Sequence, residues 1–191
     1  MTTAMQWHWS LWAWYCAAAY FGISALKIKR AKVKEAMGVR LVHTGFLVLG
    51  YWLLFWLHTY LGPLSERFVP GSLWIAELGF GLTCGGCAIT IWARACLGQY
   101  WSGRVTLKED HRLIQSGPYA WIRHPLYTGI LTAMVGTALV GGEWRCLLGF
   151  AVAVAGFSFK ARREEALLTT EFGEQYSQYR ERAGFLLPKP H

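Results

Sequence analysis

The chain has 191 residues, 54% of them hydrophobic and only 16% charged, with eleven tryptophans and a formal net charge of +8. Its charges are gathered between long uncharged runs, and an apolar run of about eighteen or more residues is long enough to cross a bilayer. This composition excludes an ordinary soluble domain, and no basic helix with interleaved aromatics stands apart from the apolar runs, so no nucleic-acid interface is expected.

In chain order, the first apolar run is residues 9–26. It is preceded by a stretch without lysine or arginine, and Trp7, Trp9, Trp12 and Trp14 stand at its entry. A secretory signal needs a basic start and a small-residue cleavage site, so this reads as a retained span with an aromatic belt. Residues 27–40 hold six basic side chains against Glu35 alone. The second run, 41–62, collects Tyr51, Trp52, Trp56 and Tyr60 toward its far end and closes at Gly62-Pro63. The third, 72–97, carries Glu77 near one end and Arg94 near the other, both expected to snorkel to an interface. Gly81 and Gly85, with Cys84, Gly86 and Cys87 beside them, predict a smooth face for close helix packing. After a polar stretch, residues 126–140 and 144–159 form a fourth and a fifth run joined by Gly141, Gly142 and Glu143. The expected fold class is all-α: one integral membrane domain, 1–191, with five transmembrane helices. Two lie in 1–71 and three in 72–191, with a catalytic loop at 98–125 and a C-terminal segment at 160–191, and a cytoplasmic cofactor pocket is expected between the loop before helix 4 and that tail.

Loop charge sets the expected orientation. Six Lys and Arg fall in 27–40, five in 94–123 and six in 160–189, against Arg67 and Arg145 on the opposite side. The positive-inside rule then places the N-terminus outside and the C-terminus in the cytoplasm, with the inner membrane as the site if the source is bacterial. The net charge reads as a signal for membrane lipid headgroups. Cys84-Gly-Gly-Cys87 has metal spacing but lies in an apolar run without a second pair, so neither a metal nor a disulfide is expected. His8, His43 and His58 read as interfacial or core residues. His111 and His124 differ because they share the polar loop.

That loop contains Q-S-G-P-Y-A-W-I-R-H-P-L-Y-T-G from Gln115 to Gly129. Pro125 suits the first turn of a helix, so a helix start is expected at His124 to Leu126. Its free amides favour a carboxylate or phosphate, and Arg123 and His124 add charge beside them. At the end of the fifth span, Lys160 and Glu164 can share one helix face, and Glu164 and Glu165 diverge by about 100°, so one is expected to face the site and the other solvent or an arginine. Taken alone, the loop reads equally well as an interfacial turn, and the acid pair reads better as a solvated charge run at a helix end.

Together, L-G-Q-Y-W-S at 97–102, H-R-L-I-Q-S-G-P-Y at 111–119, R-H-P-L-Y-T-G at 123–129, E-E-A-L-L at 164–168 and F-G-E-Q-Y-S-Q-Y at 172–179 resemble the isoprenylcysteine carboxyl methyltransferase family. A wider group of membrane phospholipid methyltransferases is similar. The resemblance covers about 97–188 and implies an integral membrane enzyme that moves a methyl group from S-adenosyl-L-methionine to a lipid or prenylated small-molecule acceptor. Carried onto matching positions, it implies a cofactor site built from His111, Arg112, Leu113, Ile114, Tyr119, His124, Pro125, Leu126, Tyr127 and Glu164, with Glu165 beside it. Tyr119 and Tyr127 would line the adenine or face the sulfonium. Lys160 stands where the family has an arginine, losing the planar fork that grips a carboxylate, and Arg123 or Arg163 would substitute as catalytic partners. Residues 172–179 are expected to fold back over the loop as a lid. The alternatives are a phospholipid amine or small-thiol methyltransferase, and an NADPH-dependent membrane reductase of similar C-terminal arrangement.

Overall fold

A computed structural model describes residues 2–26, 37–56, 60–101 and 112–189. Among the described residues there are six α-helices and no strand: α1 (Thr3–Ala25), α2 (Met37–Phe55), α3 (Leu73–Leu97), α4 (Pro125–Gly141), α5 (Trp144–Phe172) and α6 (Glu174–Arg182). Short 3-10 turns occupy Gly62–Ser65, Gly98–Tyr100 and Gly117–Ala120, each in a stretch where Gly or Pro breaks the helical pattern. Three helices, at Met37–Phe55, Leu73–Tyr100 and Trp144–Phe172, are long and apolar enough to cross a membrane. The apolar α4 is shorter, and Gln6, His8 and Ser10 dilute the apolar character of α1.

One element boundary departs from expectation, and one continuation follows it. The second helix ends at Phe55, and Gly62-Pro63 opens a 3-10 turn instead of closing the span. The fifth continues unbroken to Phe172, 29 residues in all. At about 1.5 Å per residue this is roughly 44 Å, against a hydrocarbon core of about 30 Å. The charged segment from Lys160 onward therefore projects beyond the apolar part and carries the Glu164-Glu165 pair with it.

Helix α3 packs on α4, α2 on α5 and α1 on α3. The close contact of α3 is not made by Gly81 and Gly85, which have nothing facing them, but by Gly79 and Gly86. A Cβ at Gly79 would lie 2.6 Å from the Gly136 oxygen, and one at Gly86 would lie 2.5 Å from the Gly129 oxygen. Positions seven apart return to nearly the same face after two turns, so two glycines on each helix make one antiparallel seam. Gly50 and Gly149 do the same for α2 and α5, where a Cβ on either would meet the other's carbonyl oxygen at 2.7–2.9 Å. Buried hydroxyls cross-link the layers: Trp14 donates to Thr137 Oγ1 at 2.9 Å, and Thr137 pairs with Thr83 at 3.2 Å.

Of the two residues expected to snorkel, Glu77 is exposed but Arg94 is buried, 1% exposed. Its guanidinium donates to the carbonyls of Gly98 and Ser24, each at 2.8 Å, tying the end of α3 to the end of α1. All five cysteines are free, and His43 bonds the Val39 carbonyl within its own helix, as a core residue should. His58 lies outside the described residues.

Candidate functional site

The helix start falls where Pro125 predicts it, with His124 as N-cap and Pro125 in the first turn. The carbonyl of His124 accepts from the amides of Tyr127 and Thr128, both at 3.0 Å. This turn fixes three side chains on one side: Arg123, His124 and Tyr127. Facing them is the projecting end of α5. Tyr127 Oη donates to the two carboxylate oxygens of Glu164 at 2.7 and 2.8 Å. Arg123 Nε donates to Glu165 Oε1 at 2.6 Å, and His124 Nε2 lies 3.2 Å from the same oxygen. The other ring nitrogen of His124 is 3.8 Å from Glu164, so the imidazole sits between both acids. As the helical geometry requires, the two acids point differently, one to a phenol and one to an arginine.

The stack beneath is aromatic. Tyr127 lies between His124, centroids 5.6 Å apart and nearly parallel, and Phe157, at 4.9 Å. Lys160 Nζ sits 5.4 Å from the same tyrosine ring and is buried. Tyr127 is buried, with His124, Phe157 and Lys160 all against its ring. Phe157 was missed in the sequence, although it precedes Lys160 by three and Glu164 by seven and so shares their face.

The C-terminal tail closes over this turn. Gly173, at φ +51, breaks the helix between α5 and α6 in a conformation that side chains rarely adopt. Tyr176 and Tyr179 are buried as expected, packed with Ala183 against Leu113, Leu168 and Phe172. Tyr179 Oη donates to the Tyr119 carbonyl at 2.7 Å. The chain after α6 then runs along the loop: the amides of Arg123 and His124 donate to the carbonyls of Gly184 and Phe185 at 2.8 and 3.2 Å, and Thr128 Oγ1 donates to the Leu186 carbonyl at 2.6 Å. Arg123 also donates to the Ala183 carbonyl at 2.5 Å. The amides preceding the helix start are thus taken by the chain's own tail, not open as expected. In the first turn, Pro125 has no N–H and the amides of Tyr127 and Thr128 go to the His124 carbonyl, which leaves the Leu126 N–H without a backbone acceptor among the described residues. The docking residues 184–186 carry no sequence signal because they act through backbone carbonyls.

Of the other residues singled out, Tyr119 and Pro125 are buried, Leu126 lies in the core, Ile114 packs against it, and Arg112 is exposed. Arg163 is exposed and stacks on Phe159, so the structure does not bring it to the acid cluster. His111 lies outside the described residues. No group of three or more metal-binding side chains occurs among the described residues.

Electrostatics follow the contacts. Burial alone would raise the Glu165 carboxyl, but hydrogen bonds from His124 and Arg123, with the Arg123 charge, outweigh it and hold the group at about 2, below its ordinary 4.5. Burial pushes the Tyr119 phenol well up, and the nearby Glu164 charge adds to this.

Residues 79–170 match the model of the isoprenylcysteine carboxyl methyltransferase (ICMT) family, and the resemblance carried by the motifs is thereby borne out. The chain is similar to protein-S-isoprenylcysteine O-methyltransferases: 34% identical to that of Schizosaccharomyces pombe over 56% of this chain and 47% of the relative. It is 30% identical to that of Tribolium castaneum over 72% and 48%, and 26% identical to that of Homo sapiens over 94% and 66%. The chain thus spans about half to two thirds of the length of these curated relatives. A solved structure of a eukaryotic intramembrane Ras methyltransferase, ICMT, superposes with a TM-score of 0.58 at 27% identity, over 76% of this chain and 52% of that one.

Proposed function

We propose that this chain, whose residues 79–170 carry the ICMT-family pattern, is an S-adenosylmethionine-dependent membrane methyltransferase that esterifies a carboxylate on a prenylated, lipophilic acceptor. The observation that carries the reading is the meeting of two distant motifs. Arg123, His124 and Tyr127 engage Glu164 and Glu165 across 37 to 42 positions of chain. A fixed anion, Glu164, beside a turn that the tail covers supports this reading.

The residues present fit such a donor. Glu164 is partly exposed while its carboxylate is pinned by Tyr127, so it can still accept from an ammonium group. The Leu126 amide at the start of α4 and the exposed Arg112 are suited to a carboxylate. S-adenosylmethionine supplies, when bound, a methyl group activated by a positively charged sulfur. The protein then has to align, hold and dry the reacting groups. Lys160 stays buried against Tyr127 and contributes positive charge within the site. An acceptor carboxyl is ionised at neutral pH, so no general base is required.

In this reading five helices cross the bilayer, with α1 and α4 completing the three evident spans, and the motif end faces the cytoplasm. The loop charge bias supports that orientation.

Calorimetry on the detergent-purified chain tests the reading. S-adenosylhomocysteine is expected to bind, and Glu164→Ala to weaken it at least tenfold. Binding of NADPH alone would move the protein to the reductases, and binding of neither by folded protein would reject an enzymatic role.

A further inference from the structure

Among the described residues two arginines, Arg94 and Arg145, are fully buried, and they are not equivalent. Arg145 has a carboxylate, Glu143, at 2.5 Å, together with the carbonyls of Leu53 and Trp56. Arg94 has only the carbonyls of Gly98 and Ser24 and the ring of Trp101, 4.5 Å away. No carboxylate pairs with it among the described residues; each arginine also has one buried nitrogen without a hydrogen-bond partner, Nε of Arg94 and Nη2 of Arg145, so the missing carboxylate is the difference. Burying a guanidinium without a counter-charge is costly, so a tether between α1 and α3 accounts poorly for this choice of side chain.

Arg94 lines a cleft of about 600 Å³ between the ends of α1 and α3. That volume falls within the usual range of small-molecule sites. Tyr20, Ile23, Leu97 and Ile114 give the cleft apolar walls around Arg94, the one charged side chain among the described lining residues. Such a lining is complementary to an anion carried on a hydrocarbon chain. The cleft also adjoins the site described above: Ile114 belongs to the segment expected to hold the cofactor, and Tyr119 lies within electrostatic reach of both Arg94 and Glu164.

We propose that this cleft is the acceptor site, with Arg94 pairing the carboxylate of a prenylated cysteine and the apolar walls holding the adjoining hydrocarbon. The proposal rests on the methyl-transfer reading and supplies what Lys160 lacks, a planar fork that can hold a carboxylate with two hydrogen bonds. Arg94 is then a substrate-binding residue, with Tyr119 in electrostatic reach of both it and Glu164 of the acid pair.

The test is calorimetric binding of N-acetyl-S-farnesylcysteine and of its carboxamide to the full chain in detergent, with S-adenosylhomocysteine titrated separately. The wild type is expected to prefer the acid over the carboxamide by at least tenfold. Arg94→Gln should abolish that preference while leaving affinity for the carboxamide and for S-adenosylhomocysteine unchanged, and Arg94→Lys should retain part of it. A preference that survives in Arg94→Gln overturns the proposal. So does equal loss of all three ligands in both variants, which would make Arg94 a structural tether. Binding of phosphatidylglycerol as tight as that of the acid would assign the cleft to a lipid headgroup and also overturn it. S-adenosylhomocysteine binding by the wild type reads the methyl-transfer proposal separately, so the two failures are distinguishable.

Discussion

Tyr127 and Glu165 show what single residues do at this site. The Tyr127 phenol holds Glu164 through one O–H shared between its two carboxylate oxygens, at 2.7 and 2.8 Å. Hydrogen bonds to a charged group contribute about 1.5–3 kcal/mol. Tyr127→Phe keeps the aromatic stack and is expected to weaken S-adenosylhomocysteine about 10- to 100-fold, which a titration would show; an unchanged affinity would remove Glu164 from the cofactor site. Glu165 holds the turn to the tail through Arg123. Because its carboxyl is depressed in the folded state to about 2, its stabilisation is full above about 4.5 and is lost as the pH falls from there toward 2. Proteolysis of the tail by pepsin is therefore expected to rise steeply only below about pH 4.5. Glu165→Gln should expose the tail at neutral pH and remove that acid transition. The Arg-His pair and the acid pair were legible as motifs, but which acid meets which partner was not, since adjacent helical residues diverge by about 100° and only the opposing surface selects between them.

Among the elements, the α3–α4 seam and the α5–α6 break carry the architecture. Gly86→Ala would push a methyl into the backbone of Gly129 and Ala133. Overpacking of this kind costs about 1–3 kcal/mol. Gly85→Ala, one residue away and open, should be neutral or slightly stabilising because alanine favours helix. Thermal unfolding of the two variants in detergent separates them, and equal melting points would refute the seam. Removing the chain after Glu171 deletes α6 and residues 184–186 and is expected to abolish S-adenosylhomocysteine binding; retained binding would show that the tail is not a lid. Helix existence could be read from apolar runs, and the α4 start from Pro125. The choice of packing glycines could not, because Gly81, Gly85 and Gly86 look alike until a partner helix presents its own small residues.

For the whole molecule, the clustering of both motifs at one end of the bundle makes orientation testable. In a cysteine-free background, Thr3→Cys and Thr170→Cys occupy exposed positions at the start of α1 and in the projecting part of α5. An impermeant maleimide applied to sealed, right-side-out vesicles is expected to label the first and spare the second. Labelling of both from one side would overturn the five-span arrangement.

Apolar runs, loop charge and ordered motifs sufficed to identify an all-helical membrane chain with the ICMT pattern, because hydropathy, helix-breaking residues and motif spacing are local properties of the chain. The burial of Arg94, the packing of His124 and Phe157 on Tyr127 and the capture of the Arg123 and His124 amides by the tail are different in kind. Each depends on contacts between segments far apart in sequence, and the same side chain is exposed or enclosed according to what packs against it. Arg94 illustrates the division: its sequence position suggests a snorkelling charge, while the approach of α1 to α3 turns it into a buried cation beside an apolar cleft.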